Sequence, residues 1–343
     1  MQKKTGLKKL GPFNKKAVQI TQDDVVEFVP QKSTGQLPQV IRPAVDGVDL
    51  IAWAGSNLKR IEEQLLTHGG LLFQGFHIND VDTFQQFTKA TTNQDLLEYV
   101  YRSTPRTQVS GNVYTSTEYP ADQSIPMHNE GVYTRSWPMK IWFLCLQPAE
   151  VGGETPIADC RRVFQRIPTS IKEKFQKTGV KYVRNYSAAL DLPWQEVFQT
   201  TDKSKVEDFC RQSDITFEWR EDNLRTSQVC QAVAEHPRTG DLLWCNQAHL
   251  FHVAGLAPQV REALLAIVDE DHLPRNAYYG DGQPIEPAVI EEINGIYQQE
   301  SVASPWQAGD ILMLDNMLVA HGRRPYRGAR KIVVGMAEPY SSS

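Results

Sequence analysis

The sequence predicts a mainly β chain with flanking helices, its strands closing into a barrel or jelly roll, and three observations carry this. Strand signals fall into two sets far apart in the chain. VSGNVYTST (109–117) alternates and KIWFLCL (140–146) is a continuous apolar run, while DLLWCN (241–246), DILMLDN (310–316) and KIVVGMA (331–337) make up the second set. Helical periodicity crowds the flanks and a central stretch between the two sets. No GxGxxG follows a strand and no GxxxxGKS/T occurs, so nothing supports a nucleotide-binding α/β fold. Two strand sets joined through a long insertion suit a barrel or jelly roll.

In chain order, SNLKRIEEQLLTH (56–68) reads as a helix that Ser56 caps. Leu58, Ile61, Leu65 and Leu66 form one face and Gly69-Gly70 stop it. LLFQGF (71–76) is a short strand, and Asp80 caps a second helix carrying Phe84 and Phe87. KIWFLCL has the length and continuity of a strand buried on both faces. Helices are expected over 161–178, about 202–212, 257–270 and 285–298, with strands again over the second set.

The chain's 343 residues, 41% hydrophobic and 22% charged, exclude a disordered or fibrous protein. A net charge of −5 argues against a nucleic-acid partner. No apolar run is long enough to span a bilayer, so no membrane association is expected. Five cysteines without a CxxC pair fit a reducing, cytoplasmic setting. The start, MQKKTGLKKLGPFNKK, has lysines but no apolar segment after them. Residues 1–30 are expected to be a flexible basic segment and 31–343 a single domain. The lysines also suit docking to an acidic partner.

Among eight histidines only His128 is followed two positions later by an acid, in PMHNEG. On an extended strand, His128 and Glu130 would share one side. With 41 acids in 343 residues, about one His-x-acid arises by chance, so the pair alone is not specific. His321, ending LDNMLVAH, is either a third ligand or a strand-end histidine bonded to backbone. Two His and one carboxylate leave one face of a metal open, as in non-haem Fe(II) oxygenases. Zinc enzymes with this donor set usually use HExxH-like spacing, which is missing. After the buried strand, the glycine pair of GGETPIAD precedes Thr155, and Arg330 follows His321 in HGRRPYRGARKIVV. A hydroxyl and a guanidinium beside a metal suit the distal carboxylate of a dicarboxylic cosubstrate, since Arg binds carboxylate through a bidentate fork.

PMHNEG, WPMKIWFLCLQPAEVGGETPIAD, NQAHLFH and GDILMLDNMLVAHGRRPYRGARKIVV, four blocks in order across about residues 65–339, strongly resemble the taurine-dioxygenase-like superfamily of Fe(II)/2-oxoglutarate oxygenases. Within it the chain is most similar to amino-acid β-hydroxylases of the syringomycin-pathway type. The resemblance implies a double-stranded β-helix, the jelly-roll, cupin-like core, with a helical insertion around 180–240 over the mouth. It implies His128, Glu130 and His321 as iron ligands, with Thr155 and Arg330 on 2-oxoglutarate. The His321–Arg330 spacing is shorter than in many members, which leaves Arg323, Arg324 and Arg327 as alternatives. Glu130 replaces the commoner Asp, and retention of a carboxylate speaks against halogenation.

The activity implied is hydroxylation of an unactivated C–H, at the β-carbon of an amino acid or amino-acid-derived group, free or tethered to a peptidyl carrier protein, in natural-product biosynthesis. Fe(II) is the cofactor, 2-oxoglutarate and O2 are cosubstrates, and succinate is a product. The alternatives are desaturation, epoxidation or cyclisation by the same chemistry, and a non-catalytic metal-binding jelly roll. Asn112, Tyr114 and Ser116, alternating on one strand, are candidates for substrate contact or for ordinary core and backbone bonding. Asn246, Gln247, His249 and His252 are candidates for the site wall. Arg102 and Arg106 are candidates for a substrate carboxylate, and Asp315 and Asn316 for fixing a turn or orienting His321.

Overall fold

KIWFLCL lies within the longest strand of the protein, Ser136–Gln147, in a computed structural model that describes residues 25–30, 37–92, 94–98, 101, 106–117, 119–187 and 190–342. This strand pairs antiparallel with Ile311–Asp315 on one side and Lys331–Ser341 on the other. The three form the centre of an eight-stranded sheet. Both faces of the middle strand are buried, which is why its sequence is continuously apolar. Ile141, Phe143 and Cys145 enter one core cluster, while Trp142 and Leu144 enter another.

The outer cluster is closed by helices Leu50–Ser56, Leu58–His68 and Val81–Thr92, which contribute Trp53, Ile61, Leu65, Phe84 and Phe87. Gly69, at φ 74°, ends the second helix in the left-handed conformation. The Asp80 carboxylate accepts the Thr83 N–H at 2.7 Å and starts the third. Ser56 does not cap: it ends the preceding helix, whose Leu50, Trp53 and Ala54 are buried, and Asn57 occupies the junction.

The inner cluster lies between the large sheet and a three-stranded sheet of Ile125–His128, Val319–Arg323 and Ile157–Asp159. Met127, Ala158 and Val319 of the small sheet share it with Phe143, Leu314 and Val334 of the large one. The result is a mixed, sheet-rich architecture with helices outside, and the candidate ligands sit at the edge of its inner core.

The 180–240 segment corrects the expected helical insertion. Val180–Tyr186, Thr216–Arg220 and Asn223–Cys230 form an antiparallel sheet with Arg275–Tyr279, and the helices there are Trp194–Val197 and Lys203–Gln212. Burial in NLRTSQVC alternates strictly, but two of its inward positions are Thr226 and Gln228, so apolar periodicity alone does not show the strand. The Thr226 hydroxyl meets the Tyr186 hydroxyl at 3.1 Å, and Gln228 donates to the Ser213 carbonyl at 2.6 Å.

The expected helix over 161–178 is two, Cys160–Arg166 and Thr169–Thr178, divided at Pro168. The one expected over 257–270 is shorter, Pro258–Leu265. The five cysteines are buried and free. Among the described residues, no helix is long and apolar enough to cross a membrane. Residues 1–24 of the basic segment, and Arg102, lie outside the described residues.

Candidate metal centre

His128 and His321 face each other directly across the antiparallel pair Ile125–His128 and Val319–Arg323, with ring centroids 4.5 Å apart. Glu130 departs from the expectation in detail. The strand ends at His128 and Glu130 lies in the following turn, while Asn129 between them is fully buried. The convergence holds nonetheless: one donor atom from each of His128, Glu130 and His321 lies within 4.8 Å of the others.

These residues fit a metal ion on their own chemistry. The His128 Nδ1 sits 2.9 Å from the Pro126 carbonyl, which takes the ring proton there and leaves Nε2 with its lone pair. The His321 Nδ1 is buried and, among the described residues, has no hydrogen-bond partner. Burial pushes both imidazoles below their ordinary pKa, with the Glu130 charge opposing this at His128 and the His128 ring adding to it at His321. Two neutral imidazoles and a carboxylate are the donor set that a divalent first-row ion takes. Arg106, itself buried, donates from Nη2 to Glu130 Oε2 at 2.5 Å.

The same pocket is lined by Thr155, Arg330, Ser116 and Phe143 along with His128 and His321. Gly152 and Gly153, at φ 73° and 75°, make the tight turn expected of the glycine pair. A Cβ on Gly153 would lie 3.0 Å from Arg330 Cδ, so the bare backbone gives the arginine stem its path. Arg330 donates from Nε to the Gly153 carbonyl at 2.9 Å and from Nη1 to the Ser116 hydroxyl at 3.4 Å. Burial, with the Arg323 guanidinium nearby, lowers its pKa to about 10, so it stays cationic at neutral pH. Arg323 also lines the pocket, but its Nη1 and Nη2 are engaged by the carbonyls of Tyr119, Pro120 and Gln123 at 2.6–2.9 Å. Arg324 and Arg327 are exposed.

The backbone carrying His128 and Glu130 is held from two other segments. The Asn316 amide accepts the Glu130 N–H at 2.8 Å and donates to the Glu130 carbonyl at 2.9 Å and the Pro138 carbonyl at 2.8 Å. Gln247 donates to the Asn129 carbonyl at 2.5 Å, and His249 Nε2 lies 2.8 Å from the Met127 carbonyl. Asn316 therefore serves Glu130 rather than His321. Asp315 fixes the turn by accepting the Met317 and Leu318 N–H groups, and pairs with the buried His236 at 3.0 Å.

His249 gives a pH prediction. Burial depresses its pKa to about 4, against an ordinary 6.5, so the unfolded chain binds a proton that the folded chain refuses. Its contribution is present above pH 6.5 and is lost as pH falls through the window from 6.5 to 4. Denaturant titrations of the metal-free protein should show about 2 kcal/mol less stability at pH 5 than at pH 7 from this group. His249→Gln should flatten that slope, and an unchanged slope would exclude His249 as its source.

Several expected site residues lie elsewhere. Asn112 donates to the Leu96 carbonyl at 2.7 Å and borders a surface depression with Gln85 and Lys89. Tyr114 is buried in the inner core. Asn246 is spent on its own turn, donating to the Ala232 carbonyl at 2.8 Å and accepting the Ala248 N–H at 3.0 Å. His252 likewise accepts the Ala254 N–H. Ser116 enters the pocket on the Arg330 side, and Arg106 enters it beside Glu130. Trp306, which donates its indole N–H to Thr155 Oγ1 at 3.2 Å, carries no signal in the sequence.

With this geometry in view, the comparisons with known proteins are direct. The family model described as taurine catabolism dioxygenase TauD, TfdA family, matches residues 33–337. The chain is 43% identical over 280 residues to the dapdiamide synthesis protein DdaC of Enterobacter agglomerans, covering 81% of this chain and 85% of that one. It is 30% identical over 290 residues to a clavaminate synthase-like protein of Arabidopsis thaliana, covering 81% and 84%. The crystal structure of a taurine dioxygenase from Burkholderia xenovorans superposes with a TM-score of 0.50 at 15% identity, over 92% of this chain and 91% of that one, a likeness of fold. The chain belongs to the TauD/TfdA dioxygenase family, and is a non-haem oxidoreductase that uses Fe(II), 2-oxoglutarate and O2.

Proposed function

We propose that His128, Glu130 and His321 hold the Fe(II), that Thr155 and Arg330 hold the distal carboxylate of 2-oxoglutarate, and that the reaction hydroxylates an unactivated C–H of an amino-acid-derived small molecule in natural-product biosynthesis. The observation that carries this is the meeting of the three donors within 4.8 Å beside a pocket lined by Thr155 and Arg330. In the same reading, the eight- and three-stranded sheets are the two walls of a double-stranded β-helix. When bound, the iron would activate O2, the oxidant, one oxygen atom going to succinate as 2-oxoglutarate loses CO2 and the other to the substrate.

The chain's own residues do the positioning. Pro126 sets the His128 tautomer, Asn316 fixes the backbone that presents Glu130, and the Phe143 and His321 rings pack edge to face with centroids 5.1 Å apart. In the same reading Arg106, whose Nη2 is on Glu130, orients that carboxylate and presents its charge to an anionic substrate substituent.

A cavity of about 700 Å3 on the Glu130 side, walled by Tyr101, Tyr133, Trp137, Phe209 and Met336, supports a substrate larger than a lone amino acid. Pockets of roughly 300–1,000 Å3 accommodate drug-sized ligands. An amino acid carried on an acyl or thioester extension, as on a peptidyl carrier protein, fits this size, with the β-carbon as the site of oxidation. The relationship to a dapdiamide synthesis protein favours a role in natural-product biosynthesis.

Two measurements test the reading. An anaerobic visible spectrum should show a weak charge-transfer band only when both Fe(II) and 2-oxoglutarate are present. With amino acids offered free and as N-acetylcysteamine thioesters, coupled succinate release should favour the thioester, and product mass should rise by one oxygen. No band from folded, iron-loaded protein would sink the cosubstrate assignment. Loss of two hydrogens in place of a gained oxygen would replace hydroxylation by desaturation.

A further inference from the structure

We infer that Trp306 is a positioning residue that orients the Thr155 hydroxyl, filling one of its acceptor sites and turning its proton toward a carboxylate of the cosubstrate. The inference rests on the assignment of Thr155 and Arg330 to 2-oxoglutarate. Trp306 lies on the loop between helix Pro287–Glu300 and strand Ile311–Asp315, and is half-buried against the inner core. Its indole N–H sits 3.2 Å from Thr155 Oγ1.

An indole nitrogen can donate and cannot accept, so the direction of this bond is fixed. Thr155 must receive the indole proton, and its single hydroxyl proton must point elsewhere. Among the described residues no acceptor for that proton is found, although Thr155 is 8% exposed. Thr155 lines the pocket that contains Arg330, whose Nε and Nη1 are placed on the Gly153 carbonyl and the Ser116 hydroxyl. Arg330 can only donate, and Thr155, with one acceptor site filled by Trp306, has its hydroxyl proton left to donate. Such a site favours a carboxylate over a carboxamide, whose NH2 would face the Arg330 guanidinium, which has no acceptor. Without the indole, the Thr155 hydroxyl loses this orientation and is free to rotate.

The test is a double-mutant cycle on Mn(II)-loaded protein, with Trp306→Phe, Thr155→Val and the combination. 2-Oxoglutarate binding is read by calorimetry, Mn(II) affinity and thermal midpoint are measured alongside, and the KM of the prime substrate is followed in the iron enzyme. Thr155→Val should weaken 2-oxoglutarate binding about 10- to 100-fold, the range for a hydrogen bond to a charged group. Trp306→Phe should weaken it about 3- to 10-fold, as for one neutral hydrogen bond, with Mn(II) affinity and prime-substrate KM unchanged. In the Thr155→Val background, Trp306→Phe should cost nothing more. An equal loss in both backgrounds, or none in either, overturns the role of Trp306 while leaving Thr155 on the cosubstrate. An unaltered affinity in Thr155→Val itself overturns both that assignment and the inference.

Discussion

His128→Ala is expected to abolish 2-oxoglutarate-dependent succinate release and to weaken divalent metal binding by more than 100-fold. Loss of a hydrogen-bonding partner behind a ligand typically costs about 10–100-fold in metal affinity, and His128 is proposed as the ligand itself. The structure leaves little room for a substitute. Its Nδ1 is fixed on the Pro126 carbonyl, so Nε2 faces His321 and Glu130, the three donors within 4.8 Å. The other histidine nearby, His249, is committed through Nε2 to the Met127 carbonyl. The measurements are Mn(II) calorimetry and succinate assay, with circular dichroism to establish that the fold survives. His128 ends a strand and caps no core, so folding should be retained. Wild-type succinate release from His128→Ala would remove it from the ligand set.

The parts of the site legible in sequence are those where spacing and backbone geometry coincide. His128 and Glu130 were recoverable because a two-residue step returns to the same side even as the strand gives way to a turn, with Asn129 sent the opposite way into the core. The glycine pair before Thr155 was legible because two successive positive-φ residues are readily supplied by glycine. Period-two reasoning did less well for Asn112 and Ser116. One bonds a neighbouring loop and the other joins Arg330, because the strand itself covers only Val113–Thr115. The sheet in 180–240 was hidden because Thr226 and Gln228 take inward positions, satisfied by partners that a sequence does not display. Asn316 and Trp306 act on residues 186 and 151 positions away, contacts that no local pattern encodes. The family resemblance implied which residues would be ligands, whereas the supporting hydrogen bonds required coordinates.

Arg330→Ala is expected to raise the dissociation constant of 2-oxoglutarate by about a hundredfold or more while leaving metal binding intact. Removing one partner of a buried ion pair costs about 3–5 kcal/mol, because the other charge is left without compensation. Arg330 is only partly buried, which places the expectation toward the lower end of that range. Its stem is set by contact with Gly153, and its Nε is spent on the Gly153 carbonyl, so the guanidinium is aimed by the fold before any ligand arrives. Pre-organisation of this kind makes Lys a poor replacement: Arg330→Lys keeps the charge and loses both the bond to Gly153 and the bidentate fork. Calorimetry with 2-oxoglutarate and with succinate separates the contributions, since succinate retains the carboxylate but lacks the keto group. Both ligands should weaken by a similar factor, and added guanidinium ion should restore part of the loss. Unchanged affinity in Arg330→Ala would move the role to Arg323, the other guanidinium lining the pocket, at the expense of its bonds to the 119–123 loop. A loss seen with 2-oxoglutarate and not with succinate would place Arg330 at the keto-acid end, contradicting its position beside Ser116 and Thr155.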